Sequence, residues 1–218
     1  MNTKKWERIY KKIDKIHGLL VPGQERALYI LAKSLKPCST IVEIGSFMGR
    51  STACLALGSP NETKIYAIDT FQGNSKDFYS GRQFKGDGFY KKFLSNIASV
   101  GKSKMVEPIA GFSSDVGKTW RKPIDLLFID GSHLYEDVKS DFELFYPWVK
   151  KGGMVVFHDV SPKFSGVTKV WEKQALPKLS TTGQFFTLGF GYKPISIFSK
   201  IIDKLKIKNI LNEINTEK

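Results

Sequence analysis

Ile41-Val42-Glu43-Ile44-Gly45-Ser46-Phe47-Met48-Gly49-Arg50-Ser51-Thr52 is the stretch that decides the fold. Ile41 to Ile44 reads as a buried strand, and the chain then turns on Gly45. A short loop closed by Gly49 leads into a helix of small residues, Ser51-Thr52-Ala53-Cys54-Leu55-Ala56-Leu57. Glycines at the turn let a ligand come close to the backbone where a Cβ would stand in the way. The helix start presents N–H groups that have no partner within the helix. Strand, glycine turn and helix in this order hold nucleotide-type cofactors in doubly wound α/β folds.

Working outward, strands and helices alternate. Thr40–Gly45, Lys64–Asp69, Ser103–Ile109 (the weakest), Pro123–Asp130 and Gly152–Asp159 read as strands. Ile65–Ile68, Leu126–Ile129 and Met154–Phe157 are continuously apolar, as strands covered on both faces are. Tyr135–Trp148 and Val167–Leu176 carry helical spacing between them. This predicts a doubly wound, mostly parallel α/β sheet. Ahead of it, Trp6, Ile9, Tyr10, Ile13 and Ile16 form one apolar stripe over residues 4–17, and a second helix runs from Gln24 to Leu35, stopped by Pro37. Near the end, Gln184–Leu188, Gly189–Tyr192 and Pro194–Phe198 read as a hairpin around glycines, followed by a basic helical tail. The organisation is therefore N-terminal helices over 1–36, a catalytic α/β domain over 37–199 and a basic helix and tail over 200–218.

A chain of 218 residues with 41% hydrophobic and 25% charged residues has the composition of a soluble globular domain. No apolar run approaches the ~20 residues of a membrane span, and the N-terminus lacks an apolar signal core. Two cysteines, Cys38 and Cys54, do not make a disulfide framework, so a cytoplasmic location is expected. The net charge of +13 gathers in residues 4–15 and 76–104. It fits an anionic partner or peripheral membrane contact, and equally a solvated basic surface.

Acids end three apolar strands: Asp69, Asp130 and Asp159. Ligands of open parallel sheets bind beyond these carboxyl ends. One such aspartate is a routine helix cap, but three are hard to explain that way. Asp69 lies 20 residues after Gly49, the offset of an acid that accepts ribose hydroxyls. If the strands ending in Asp130 and Asp159 are neighbours, their ends lie ~5 Å apart, and a cation between them relieves the repulsion. Oxygen donors there suit Mg²⁺, with His158 as a candidate third ligand. His133, in Asp130-Gly131-Ser132-His133, is a candidate general base for a hydroxyl proton.

A nicotinamide-binding loop would read G-x-G-x-x-G, whereas Gly45-Ser46-Phe47-Met48-Gly49 is one glycine short and Glu43 would oppose a diphosphate. Glu43-x-Gly45-x-x-x-Gly49 resembles motif I of the class I S-adenosylmethionine-dependent methyltransferases. Together with Leu127–Asp141 (Asp130-Gly131-Ser132-His133-x-Tyr135-Glu136-x-Val138-x-x-Asp141) and Lys151-Gly152-Gly153 through His158-Asp159, it is similar to a branch of macrocin O-methyltransferase-like and cephalosporin-hydroxylase-like proteins. The resemblance spans roughly residues 25–195 and implies a seven-stranded sheet ending in an antiparallel hairpin. It implies methionine-end contacts from Glu43, Gly45, Ser46, Gly49 and Ser51, and ribose contacts from Asp69 and Thr70. Adenine would be covered by Gly111, Phe112 and Ser113, with Asp130 closing the cofactor set. It further implies Mg²⁺ on Asp130 and Asp159 and His133 as base. The pair after the fifth strand is often Glu-Asp in that branch, and His158-Asp159 departs from it.

The expected activity is metal-assisted methylation of a hydroxyl on a small molecule or sugar, an acidic one if the basic segments face it. Residues 71–93, with Phe78, Tyr79, Phe84, Phe89, Tyr90, Arg82 and Lys85, read as a lid that selects this acceptor. A nucleic-acid methyltransferase is disfavoured because no Asn/Asp-Pro-Pro-Tyr-type motif is present. A non-methylating protein on the same fold is the other alternative, and a homo-oligomer is compatible with everything above.

Overall fold

A computed structural model of the chain describes residues 3–73, 88–195 and 200–215, the backbone alone for 200–204. The strands are β1 (Thr40–Ile44), β2 (Lys64–Asp69), β3 (Val106–Ala110), β4 (Ile124–Ile129), β5 (Val149–Phe157), β6 (Ser180–Phe185) and β7 (Leu188–Tyr192). They form one sheet in the order β3-β2-β1-β4-β5-β7-β6. β1 to β5 run parallel, and β7 is antiparallel to both β5 and β6. The seven-stranded, mostly parallel sheet with its antiparallel end is thus as expected.

Alternation along each strand sends side chains to two cores. Ile41, Ala67, Leu126, Phe128, Met154, Val156 and Phe190 meet one helical layer, which includes α2 (Gln24–Lys33), α3 (Arg50–Gly58) and α4 (Gly88–Ser99). Val42, Ile44, Ile68, Leu127, Ile129, Val155 and Phe157 meet the other, which includes α5 (Ser113–Thr119), α6 (Tyr135–Phe145) and α7 (Ser165–Val170). Both faces being covered explains why the central strands carry no polar alternation. α1 (Thr3–Ile13) packs Ile13 into the first layer, and α8 (Lys200–Asn215) adds Ile207, Ile210 and Ile214 to it. No helix of the described residues is long and apolar enough to cross a membrane.

Three expectations are corrected. The hairpin turns at Phe186-Thr187, and Gly189 to Gly191 lie inside β7 rather than at the turn. These glycines serve packing: a Cβ on Gly189 would lie 3.0 Å from the Trp171 ring, and one on Gly191 would lie 2.9 Å from Thr182 Cγ2. The segment read as one helix over 167–176 is α7 followed by a π-turn at Trp171–Ala175, which buries Trp171. The aromatic run read as a lid is partly core. Phe89 and Phe93 lie on α4 and are buried, with Phe71 5.1 Å from both the Tyr90 and Phe93 rings. The rest of that expectation, including Phe78, Tyr79, Arg82, Phe84 and Lys85, lies outside the described residues, as do residues 196–198.

Gly45 has φ +90, and a Cβ there would sit 2.2 Å from the Asp130 carbonyl oxygen and 2.6 Å from Gly131 Cα. Gly101 also has a positive φ (+72), but a Cβ would meet nothing within 4 Å. Gly101→Ala therefore incurs only the left-handed backbone penalty of about 1–2 kcal/mol. Gly45→Ala adds a collision with backbone that cannot swing aside. Urea unfolding should show a loss at least twice as large for Gly45→Ala, and equal losses would mean the two strand ends are free to separate.

Candidate active site at the strand ends

The order in which strands are added reverses between β1 and β4, so the loops leaving these parallel neighbours diverge and open a crevice. Backbone bonds carry the ladder one step past the strands: Gly45 N–H to Ile68 O, Asp130 N–H to Ile44 O, Gly111 N–H to Asp69 O and His158 N–H to Ile129 O. The segments expected to carry the site therefore line one edge. Three non-glycine residues at this edge are left-handed: Phe47 (φ 45), Phe71 (φ 52) and Asp159 (φ 58). Such backbone costs free energy and gathers where function over-determines it. Two of the three are tied to one acid. Asp69 Oδ2 accepts from Phe47 N–H at 2.8 Å and Oδ1 from Phe71 N–H at 2.6 Å. Asp69 thus shapes both loops, and each oxygen keeps a lone pair for a further donor.

Glu43 lies wholly buried beneath the Gly45 turn. Thr52 Oγ1 donates to its Oε2 at 2.5 Å, while Oε1 has no hydrogen-bond partner. Burial pushes its pKa up to about 7, against the opposing pull of the Ser51, Thr52 and Ser46 hydroxyls, and Asp130 adds to the rise. The Ser46 hydroxyl is likewise buried without a well-formed hydrogen bond. Gly49 (φ +88) caps α3, and its missing Cβ makes room for Phe93 and Ile97. Both turn glycines are thus demanded by the chain's own packing. Thr70 is half-buried beside Asp69, its hydroxyl 3.4 Å from the Gln72 N–H that donates to it. Across the edge, Phe112 is 66% exposed next to Gly111, and Ser113 opens α5 by donating to Asp141 Oδ1 at 2.5 Å. Asp141, buried on α6, is pushed up to about 7 by burial.

The third group is the most concentrated. One ligand atom each from Asp130, His158 and Asp159 lies within 4.8 Å of the others. His158 Nδ1 is 2.9 Å from Asp130 Oδ1 and 3.1 Å from Asp159 Oδ2, and His133 Nε2 is 2.9 Å from Asp159 Oδ2. β4 and β5 are adjacent, as the shared site requires. Strand alternation would send His158 away from Asp159. Instead β5 ends at Phe157 and Asp159 is left-handed, so both side chains reach the same place. Burial opposes charge on His158, but Asp130 and Asp159 push it up to about 10. Asp159 is held down at about 2 against burial by His133 and His158, whereas burial raises Asp130. The His133 ring stacks on Phe164, centroids 4.2 Å apart.

Some members of this edge have no signal in the sequence. Gln24, at the start of α2, reaches His158 with its side chain. Phe164 closes a single 3₁₀ turn before α7, too short for any periodic pattern to mark it. Asp141 stands in the quoted motif without a role, and its bond to Ser113 supplies one.

The sequence profile of the methyltransferase-domain family matches residues 42–160, more than half of the chain. The chain belongs to that family. It is 32% identical over 146 residues to the uncharacterized protein y4gI of Sinorhizobium fredii and 42% identical over 141 residues to the uncharacterized protein R132 of Acanthamoeba polyphaga mimivirus. Each match covers 65% of the chain, but only 15% and 58% of the respective relatives. In structure it is similar to the O-methyltransferase TomG of Streptomyces achromogenes, solved with S-adenosylmethionine. The TM-score is 0.63 at 20% identity, covering 88% of each chain, and at that identity the likeness is one of fold.

Glu43 carries a pH signature. Its pKa rises from about 4.5 unfolded to about 7 folded, so the folded state binds the proton more tightly. That contribution to stability is fully present below about pH 4.5 and is lost as pH rises through about 7, at about 1.4 kcal/mol per unit in between. Glu43→Gln removes this slope. Thermal unfolding from pH 5 to pH 8 should show a smaller fall for the variant than for the wild type, and parallel profiles would refute the burial assigned to this carboxyl.

Proposed function

We propose that this member of the methyltransferase-domain family is an S-adenosylmethionine-dependent O-methyltransferase, acting on a hydroxyl of a small molecule or sugar with the help of a divalent cation. The observation that carries this reading is the meeting of Asp130, His158, Asp159 and His133 at the ends of β4 and β5. It lies beside the loops of Glu43 and Asp69. An acid pair with an imidazole suits removal of a hydroxyl proton. The resemblance to the macrocin O-methyltransferase-like branch and the fold likeness to TomG, an O-methyltransferase involved in tomaymycin synthesis, support the acceptor class.

The residues fit the methyl donor. Glu43 Oε1 and Ser46 Oγ are buried polar atoms lacking partners, which is the environment an ammonium group satisfies. Asp69 keeps lone pairs for ribose hydroxyls, Thr70 stands beside it, and exposed Phe112 offers an apolar face to adenine, flanked by Gly111 and Ser113. Ser51 and Gly49 frame the methionine end at the start of α3. Asp130, His158 and Asp159 would hold the cation, of which Mg²⁺ is the simplest choice for the two carboxylates.

Bound S-adenosylmethionine supplies an electrophilic methyl group, and a bound divalent cation supplies the positive charge that lowers a hydroxyl's pKa. The chain's own residues do the rest. His133 would take the acceptor's proton, and Asp159, 2.9 Å from its Nε2, would stabilise the resulting imidazolium. Phe164 holds the ring in plane. The strand-end loops would hold the deprotonated oxygen in line with the donor's methyl–sulfur bond, whose cleavage would pass the methyl to oxygen and release the thioether.

His133→Ala should lower methyl transfer by about 10²–10⁴-fold while leaving the thermal shift caused by S-adenosylmethionine intact. Near-normal turnover would remove His133 from the base role. A wild-type protein whose unfolding temperature ignores S-adenosylmethionine would refute the cofactor assignment itself.

A further inference from the structure

Gln24 comes from outside the methyl-donor loops and the carboxylate cluster, yet it is completely buried and both polar atoms of its amide are engaged. Its Oε1 accepts from Val21 N–H at 2.9 Å, and its Nε2 donates to Thr187 Oγ1 at 2.8 Å. A backbone N–H can only donate, so the atom it meets is the carbonyl oxygen and the amide has one orientation. That same oxygen lies 2.9 Å from His158 Nε2. His158 Nε2 must therefore carry a hydrogen, and the lone pair of the neutral ring resides on Nδ1.

Nδ1 is the atom that faces the acids. It is buried and makes no well-formed hydrogen bond, although carboxylate oxygens lie at 2.9 and 3.1 Å. A ring nitrogen facing two carboxylates requires a positive charge between them, and a shared cation can supply it in place of a proton. Donor atoms about 2.1 Å from one six-coordinate ion stand about 3 Å apart when they are neighbours in its shell, which matches both distances.

We propose that Gln24 is a positioning residue that presents His158 Nδ1 as a nitrogen ligand, so that the Asp130/His158/Asp159 site prefers an imidazole-tolerant divalent ion such as Mn²⁺ over Mg²⁺. This rests on the metal-assisted reading above and refines it. Mg²⁺ favours oxygen-only shells, whereas imidazole nitrogen suits the transition metals, and affinity rises from Mn²⁺ along the first row. The partner of a metal-bound histidine's other nitrogen fixes the ring's tautomer and orientation, and its loss lowers metal affinity by about 10–100-fold. Here that partner comes from α2, and its own second anchor is Thr187 in the β6–β7 turn. The preference of this site is thus set by residues from opposite ends of the chain.

The test uses the full chain, freed of metal, titrated with Mn²⁺ alone and with Mg²⁺ as competitor, and read by electron paramagnetic resonance. The expected result is Mn²⁺ binding at least about 10-fold tighter than Mg²⁺, with ¹⁴N modulation from a directly bound imidazole. That modulation should vanish in His158→Ala. Gln24→Met should weaken Mn²⁺ binding by about 10–100-fold and compress the preference. Gln24→Glu, which keeps an oxygen acceptor, should restore both. Thr187→Val, which removes only the anchor behind the amide, gives an intermediate loss and substitutes for Gln24→Met if that variant does not fold. Binding of both ions with equal affinity and no ¹⁴N modulation would overturn the proposal while leaving metal assistance standing. Absence of any ion binding would overturn both.

Discussion

The crevice depends on how closely the ends of β1 and β4 approach each other. Asp130 N–H donates to the Ile44 carbonyl while Gly45 N–H is held to Ile68 of β2, and the space a Cβ would need at Gly45 is filled by the Asp130 carbonyl. That contact brings the Glu43 loop and the Asp130 loop to one edge while their helices depart to opposite faces. A side chain at position 45 would force the strand ends apart, and with them the two halves of the site. The glycine is therefore a constraint on the protein before it is a convenience for a ligand.

The contact concentrates negative charge. Glu43, Asp69 and Asp130 are all raised first by burial, and Asp130 contributes to the rise of the other two. A set of acids assembled this way favours cationic ligands by relief of mutual repulsion. The same physics distinguishes the two ends of the edge. Near Glu43 the acid is enclosed by hydroxyls, which suits a hydrogen-bonded ammonium. At Asp130 and Asp159 the acids are met by imidazoles, which suits proton transfer and metal ligation. A sulfonium–ammonium donor and a divalent cation are complementary to these two environments. A diphosphate is complementary to neither.

The sheet was legible because its central strands are apolar on both faces, and because an acid follows three of them directly. Asp69, Asp130 and Asp159 sit at strand ends for a reason that periodicity can express. His133 was legible by its distance from Asp130 along the chain. The β6–β7 turn was misplaced because Gly189 and Gly191 look like turn residues, whereas their smallness answers Trp171, Leu179 and Thr182 across the sheet. His158 joins Asp159 in the cluster, as the sequence suggests, although alternation along a strand would separate consecutive side chains; β5 stops at Phe157 and Asp159 is left-handed. Gln24 was illegible for a deeper reason. Its two side-chain partners are 134 and 163 residues away, and no local pattern distinguishes it from an ordinary first residue of a helix.

That long-range link shows how the flanking elements enter the chemistry. The apolar face of α2 explains part of its placement, since Leu28, Leu31 and Ala32 bury it in the first core. Yet the same helix begins with a buried amide whose orientation is fixed by Val21 on one side and used by His158 on the other. Arg50, at the start of α3, pairs with buried Glu25 and also donates to the carbonyl of Ile16. The N-terminal segment is thus tied to the start of α3, behind the Gly45–Gly49 turn, through Glu25 and to the acid edge through Gln24. Two consecutive residues of one helix serve the two ends of the site. Their buried polar bonds tolerate displacement less than apolar contacts do, because an unpartnered donor or acceptor costs its full desolvation. The helix start is therefore positioned by chemistry, and the remainder of the helix by burial.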